Sequence, residues 1–322
     1  MSATWRAWVA VLASFVLGSC RCTPTGDGPA PTAPAAAAVA STSAGVPLAD
    51  AGAAASADAA VDASDAGDAA GDAGAKLAPL REEPFVVLKV EGFGDAVVSI
   101  PSGATEPRPV VTALHGNFDR PEWQCEVWRG ITGAYPFILC PRGIPRGDAP
   151  KSWDRWTYGA MQKVKAELYA GLDALEKRFG DHADDGPVVF TGFSLGAILG
   201  RYIVKEDPER FPRVVFTEGG NQGWDWLARA YKKGGGQRVL FACGQAACMA
   251  TSKAATRYAQ AVELPARVAN GGKPGHTYDG PVAAAITRHW GWLLAGDDRF
   301  PEGRTFEEAA NDGGSESETG VE

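Results

Sequence analysis

The residues with the clearest chemical potential form the segment Gly192-Phe193-Ser194-Leu195-Gly196. A serine between two glycines at this spacing is typical of a sharp turn from a strand into a helix, which exposes the hydroxyl as a nucleophile. The flanking sequence favours that setting, because the apolar run VVFTG leads into the turn and LGAILGRYIV continues from it. We therefore predict that Ser194 is a nucleophile. A glycine-rich strand–helix junction with an inert serine is the alternative interpretation.

A nucleophilic serine needs a general base, and the chain has only four histidines from which to supply it. His115 and His182 precede the serine in the chain, and His289 falls inside the last predicted helix. His276 lies in the loop GKPGHTY, which leads from the last predicted strand to the last helix. Loops at the carboxyl edge of a parallel sheet are where site residues collect, so we predict His276 as the base.

Acyl transfer also requires two preorganised N–H donors for the developing oxyanion. The backbone N–H of Leu195, the residue after the serine, is one candidate. The segment LHGNF, at the end of the third predicted strand, offers a second candidate in the backbone N–H of Asn117. The alternative is a turn that merely requires Gly116.

These residues must be positioned by a regular framework, and the hydrophobic pattern from residue 83 onward predicts one. Short β-branched runs alternate with amphipathic segments, and continuous apolar runs favour strands that are covered on both faces, as in a parallel sheet. The predicted strands are 85–90, 96–100, 109–114, 136–140, 187–191, 213–218, 238–242 and 266–269. The predicted helices are 122–131, 161–179, 195–205, 224–232, 252–262 and 281–295.

With these elements in place, residues 84–296 resemble the α/β-hydrolase superfamily. The serine follows the fifth strand, the histidine follows the eighth and His-Gly follows the third; the GHTY stretch is similar to that of secreted esterases and polyester depolymerases. The resemblance implies an α/β fold with a mostly parallel eight-stranded sheet flanked by helices. It also implies a serine hydrolase that acts on a small-molecule or polymer ester, in the chain order Ser, acid, His, without a metal or nucleotide cofactor.

The acid is the point at which the sequence departs from the family pattern. The family's carboxylate usually follows the seventh strand, but no Asp or Glu occurs from Val239 through Val262. Glu218, after the sixth strand, is the leading candidate, and Asp225 is the second. Gln245 could orient the histidine through its amide oxygen instead. The remaining possibility is an impaired enzyme that acts as a binding or scaffold module; a peptidase or transferase would use the same residues on another bond or acceptor.

Residues 1–19 have the pattern of a signal peptide: Arg6, a short apolar run, and then Leu-Gly-Ser before Cys20. This segment resembles the lipobox of bacterial lipoproteins, which implies that Cys20 carries the lipid and anchors the chain in the cell envelope. Arg21 is not the residue that retains such proteins in the inner membrane, so the outer membrane is expected. An ordinary secretory signal with a chance cysteine is the alternative.

The remaining organisation follows from composition. Residues 20–80 are rich in Ala, Pro and Asp and are expected to form a disordered tether; residues 81–300 form the hydrolase domain and residues 301–322 an acidic disordered tail. The net charge of -8 resides in the two ends, since residues 76–304 hold 26 acidic and 29 basic side chains. No basic stripe suited to nucleic acid is present, and we expect a monomer.

Two further features of the domain remain open. An exported chain can form disulfides, and the local pairs Cys125–Cys140 and Cys243–Cys248 are favoured over free thiols. The loop 141–160 is rich in Trp and Arg. We expect rim packing from Trp153, Trp156, Trp224 and Trp226 and solvated positions for Arg142, Arg146 and Arg155, with contacts to an aromatic or anionic substrate as the alternative.

Overall fold

The structure, a computed structural model, describes residues 76–301. The predicted signal peptide, the lipid site at Cys20, the tether as far as residue 75 and the tail from residue 302 lie outside the described residues. Leu77 and Leu80, which the prediction placed in the tether, donate backbone hydrogen bonds to the carbonyls of Thr105 and Ala104. The chain is therefore already attached to the domain at residue 77.

Eight strands form one sheet in the order β1-β2-β4-β3-β5-β6-β7-β8. The β1–β2 and β2–β4 pairs are antiparallel and all other pairs are parallel. This arrangement confirms the predicted mostly parallel sheet. The strands are β1 Phe85–Leu88, β2 Ala96–Ser99, β3 Val110–Leu114, β4 Phe137–Cys140, β5 Val189–Phe193, β6 Arg213–Thr217, β7 Arg238–Cys243 and β8 Ala266–Asn270.

The central strands are buried on both faces, which explains their continuous apolar sequences. All residues of β3, β5 and β6 are buried. Alternate side chains enter two separate cores, one beneath α1 and α6 and the other beneath α2 to α5. The helices are α1 Pro121–Thr132, α2 Met161–Phe179, α3 Leu195–Glu206, α4 Trp224–Lys233, α5 Ala246–Gln260 and α6 Gly280–Leu294.

Two elements differ from the prediction. Helix α5 begins at Ala246, six residues before the predicted start at 252, because the alanine-rich stretch after β7 has high helix propensity even though it contains Cys248. The predicted loop 141–160 contains a short antiparallel ribbon, in which Ile144–Pro145 pairs with Trp156–Thr157. The prediction that Trp224 packs at the rim of the site is wrong. Trp224 belongs to the core beneath α2 to α5, where it is 2% exposed and packs on Phe241.

The predicted cysteine pairing is confirmed. Cys125 of α1 is bonded to Cys140 at the end of β4, with their Cα atoms 6.0 Å apart. Cys243, at the end of β7, is bonded to Cys248 in the first turn of α5, with their Cα atoms 5.6 Å apart. The second bond fixes the turn from β7 into α5. Across residues 76–301, no helix combines the length and the apolar character that crossing a bilayer would require.

Candidate active site

Ser194 occupies the turn between β5 and α3 in an unusual backbone conformation. Its φ of 49° and ψ of −111° lie where residues with a side chain rarely go, a strain of about 1–3 kcal/mol. The turn is held from both sides. The Ser194 N–H donates to the carbonyl of Thr217 at 2.9 Å. A Cβ atom at Gly196 would lie 2.5 Å from the carbonyl oxygen of Leu114, so only glycine fits there. The tight packing therefore maintains the strained serine.

His276 reaches this serine from the loop between β8 and α6. Its Nε2 lies 2.9 Å from Ser194 Oγ, within hydrogen-bond distance. The imidazole packs on the Phe193 ring, with the ring centres 5.0 Å apart. The His276 side chain is 46% exposed, so solvent reaches the imidazole. A neutral imidazole in this position can accept the proton of the serine hydroxyl.

Glu218 lies directly after β6, and its carboxylate completes the line of side chains. Its Oε2 is 3.3 Å from His276 Nδ1. Its Oε1 accepts the backbone N–H groups of Gly244 and Gln245, the latter at 3.0 Å. The side chain is 1% exposed. These donors keep a buried carboxylate hydrogen-bonded, so that one oxygen is left for the imidazole.

The other two candidates for the acid have different positions. Asp225 is exposed in the first turn of α4 and makes no hydrogen bond to His276. The ring nitrogens of His276 have Glu218 and Ser194 as hydrogen-bond partners, not Gln245. With its amide nitrogen towards the carboxylate, the Gln245 side chain donates to Glu218 Oε2 at 3.2 Å and its oxygen accepts the His276 backbone N–H at 3.2 Å. Gln245 thus joins the acid to the histidine loop, a role that the sequence reasoning missed.

The same corner of the molecule also contains a group of side chains that could in principle bind a metal ion. Sγ atoms of Cys243 and Cys248 lie within 4.8 Å of a Glu218 carboxylate oxygen and of each other. Because these two cysteines are bonded to each other, they offer no thiolate ligands. The group acts as a brace, since the disulfide spans the turn whose N–H groups bind Glu218.

The two predicted oxyanion donors belong to segments that adjoin Ser194, namely the start of α3 and the loop after β3. Leu195 is the first residue of α3, so its N–H has no acceptor within the helix. The loop after β3 touches the serine, because a Cβ at Gly116 would lie 3.4 Å from Ser194 Cβ. The Gly116 N–H is already used by Asp119 Oδ2 at 3.2 Å. The next N–H along the loop belongs to Asn117, whose side-chain oxygen accepts from Thr157 Oγ1 at 2.7 Å.

Asp119 connects this loop to the histidine loop, and the sequence reasoning missed it. While its Oδ2 accepts the Gly116 N–H, its Oδ1 accepts the hydroxyl of Tyr278 at 3.1 Å. Tyr278 lies two residues after His276 and packs on Phe193. Burial, together with the neighbouring Asp119, raises the pKa of the Tyr278 hydroxyl, which therefore stays a donor. The tyrosine of the GHTY stretch was the only sign of this contact in the sequence, and it did not identify Asp119 as its partner.

The imidazoles of the other three histidines contact backbone carbonyl groups and make no hydrogen bond to Ser194. His115 is fully buried and stacks on Tyr158, with its Nε2 2.8 Å from the carbonyl oxygen of Arg142. Burial lowers the pKa of the His115 imidazole, and its Nδ1, 2.7 Å from the carbonyl oxygen of Gly116, braces the loop after β3. His182 bonds the carbonyl of Ala78, and His289 bonds the carbonyl of Ala285 within α6.

If Asp119 holds the two loops in register, Asp119→Asn and Tyr278→Phe should each lower kcat for an ester by about tenfold, the value of one hydrogen bond to a charged group. The double variant should lose less than the product of the two single losses, because both variants weaken the same contact. Rates of p-nitrophenyl acetate hydrolysis measure the effect. Asp173→Asn, an exposed carboxylate on α2, is the matched control. Fully additive losses would contradict the link.

The placement of these side chains in the sheet decides the fold. Ser194, Glu218 and His276 follow β5, β6 and β8, all at the carboxyl edge of parallel strands, and the serine stands on a strand–turn–helix elbow. The strand order and the antiparallel β2 complete the pattern. The chain has the α/β-hydrolase fold.

Several solved α/β-hydrolase structures are similar to the chain. The carboxylesterase from Bacillus cereus is 15% identical, with a TM-score of 0.45, over 65% of this chain and 96% of its own. The carboxylesterase from Mesorhizobium loti is 20% identical, with a TM-score of 0.44, over 66% and 100%. An S-formylglutathione hydrolase from Agrobacterium tumefaciens is 18% identical, with a TM-score of 0.46, over 64% and 90%. No protein-family model and no curated protein matches the sequence.

Proposed function

We propose that this chain is a serine hydrolase that cleaves ester or related acyl bonds. The observation that carries the proposal is the contact of 2.9 Å between Ser194 Oγ and His276 Nε2, with Glu218 on the other side of the imidazole. A hydroxyl, a base and a buried carboxylate in this order are the parts that acyl transfer through a covalent serine intermediate requires.

In the proposed reaction, Ser194 Oγ attacks the substrate carbonyl while His276 Nε2 takes the hydroxyl proton. Glu218 stabilises the resulting imidazolium and holds Nδ1 as the donor. The N–H groups of Leu195 and Asn117 bind the oxyanion of the tetrahedral intermediate. His276 then gives its proton to the leaving alcohol, and water, activated by the same imidazole, releases the acid and restores the serine. The reaction as proposed consumes one water molecule, and the other groups that take part belong to the chain.

The sequence supports a location for this activity. Residues 1–20 have the signal-peptide and lipobox pattern, so we propose that the mature chain is a monomer anchored through a lipid on Cys20 in the bacterial cell envelope, on the outer membrane. The two disulfides of the domain support an oxidising compartment. The alternative of an impaired binding module rested on the missing carboxylate after β7. Because Glu218 lies beside His276, a carboxylate is available from another strand, and that reason for the alternative no longer applies.

A fluorophosphonate probe tests the proposal, because it labels only an activated serine. The full chain should be labelled on the tryptic peptide 179–201, in which Ser194 is the only serine. His276→Ala should slow labelling by at least about 100-fold, the lower end of the usual contribution of a general base. His289→Ala is the matched control and should be labelled at the wild-type rate. Absence of label, or label on another peptide, would contradict the assignment.

A further inference from the structure

A surface of aromatic and arginine side chains lies beside the oxyanion loop. Phe118, Trp123 and Trp153 are 37%, 38% and 54% exposed, high fractions for side chains of this size. Phe118 and Trp153 meet edge to face, with their ring centres 6.1 Å apart. Arg155 completes the group, which we call the aromatic rim: Phe118, Trp123, Trp153 and Arg155.

The aromatic rim is carried by two segments, 118–123 and 153–156, which are fixed to each other. The backbone of Asp119 and that of Trp156 exchange hydrogen bonds at 3.2 and 3.0 Å. Arg120 in the first segment is 2.5 Å from Asp154 in the second. Since Asp119 also holds the loop after β3, the aromatic rim is built on the same support as the predicted oxyanion donors.

Arg155 differs from the neighbouring arginines in its charge balance. Arg120, Arg142 and Arg146 face the carboxylates of Asp154, Glu122 and Asp148 respectively. Within residues 76–301, Arg155 faces no carboxylate; its Nη1 donates to the carbonyl of Trp153 at 2.5 Å, while Nε and Nη2 donate to no group of the described chain. The Arg155 guanidinium therefore has an unbalanced positive charge and free N–H donors with which to bind an anion.

The aromatic rings hold that guanidinium in place. It lies 4.6 Å from the centre of the Trp123 ring and 5.7 Å from that of Phe118. Rings at these distances favour a cation through their negative faces and restrict the arginine to few positions, which reduces the entropy lost when it binds an anion. The arrangement is thus a preorganised anion site with apolar walls.

The aromatic rim lies within reach of a substrate bound at the serine. A Cβ atom at Gly116 would lie 3.4 Å from Ser194 Cβ, and Phe118 follows two residues later. Consecutive Cα atoms are about 3.8 Å apart, so the Cα of Phe118 is at most about 7.6 Å from that of Gly116. Phe118 therefore belongs to a loop that adjoins the serine, and the Arg155 guanidinium lies 5.7 Å from the centre of its ring.

We propose that the aromatic rim selects esters whose acyl chain ends in a carboxylate, that is, half-esters of dicarboxylic acids. This rests on the proposed hydrolase function. The rings cover the apolar part of the chain, and Arg155 binds the terminal carboxylate through the two donors that it has free. A neutral ester of the same length makes the ring contacts but leaves the guanidinium without its counter-ion.

The test compares two substrates that differ only in this charge: p-nitrophenyl hydrogen suberate and its terminal amide, p-nitrophenyl 7-carbamoylheptanoate. We expect the wild-type full chain to have a kcat/KM about fivefold higher for the acid, a preference that 0.5 M NaCl should largely abolish because the site is exposed. Arg155→Gln should remove the preference while leaving kcat/KM for the amide within about twofold. Arg257→Gln, an exposed arginine on α5, should keep the preference.

The outcomes separate this inference from the function beneath it. If the wild-type chain hydrolyses both esters equally, or if Arg155→Gln retains the preference, the aromatic rim does not select the carboxylate. If neither ester is hydrolysed at a rate that Ser194→Ala abolishes, the proposed hydrolase function fails first. Hydrolysis of the amide by Arg155→Gln also shows that this variant is folded.

Discussion

Replacing Ser194 by alanine is expected to lower kcat for a p-nitrophenyl ester by at least about 10⁴-fold, because the proposed mechanism has no other nucleophile. Within residues 76–301 no other hydroxyl hydrogen-bonds to His276 Nε2, so no neighbouring side chain can take over the attack. Release of p-nitrophenolate under saturating substrate gives kcat directly. The residual rate should no longer show a burst, because the covalent intermediate cannot form.

The backbone at residue 194 makes the same prediction testable through stability. Its φ of 49° is tolerated by glycine without strain, so Ser194→Gly should be as inactive as the alanine variant yet more stable to unfolding by about 1 kcal/mol, once the entropic cost of glycine is subtracted. Chemical denaturation measures the difference. Ser102→Ala, in the turn between β2 and β3, is the control and should change neither quantity. A Ser194→Ala variant within tenfold of wild-type kcat would end the assignment.

The central part of the fold follows from local sequence, because the requirement that shapes it is local. A parallel strand covered on both faces needs an apolar residue at nearly every position, and VVFTG meets that requirement. The structure buries every residue of β5, and the elbow follows at Ser194. The glycines on either side of Ser194 could also be recognised in the sequence. The structure explains the one at 196, because its close approach to Leu114 leaves space for no other residue.

The contacts between loops follow from no local pattern. Asp119 and Tyr278 are separated by 159 positions, and only the order of strands brings them together. Glu218 lies next to Gly244 because Thr217 of β6 pairs with Ala242 of β7, a register that the sequence of either strand alone does not specify. The candidate acid could therefore be named from the chain order of the family. The backbone N–H groups that hold its carboxylate could not be predicted in the same way.

Replacing Glu218 by glutamine is expected to lower kcat by about 10³- to 10⁴-fold while preserving the shape of the side chain. The amide cannot accept at both ends: its NH₂ group faces either the backbone N–H groups of Gly244 and Gln245 or the Nδ1–H of His276. In either orientation two donors oppose each other. The imidazolium formed during attack also loses its negative neighbour. Steady-state hydrolysis of a p-nitrophenyl ester and the fluorophosphonate labelling rate should fall together.

The chain offers a matched control for this loss in Asp225, the other carboxylate that chain order allows. Asp225→Asn removes the same charge from the first turn of α4, where an acid favours the helix by about 0.3–1 kcal/mol. It should reduce stability slightly and leave kcat unchanged, because Asp225 makes no hydrogen bond to His276. If Asp225 is the catalytic acid instead, Asp225→Asn should lose most of its kcat and Glu218→Gln should remain active. Glu218 would then be a structural carboxylate that holds the turn after β7. A large loss in Glu218→Gln alone ties the activity to the buried carboxylate after β6.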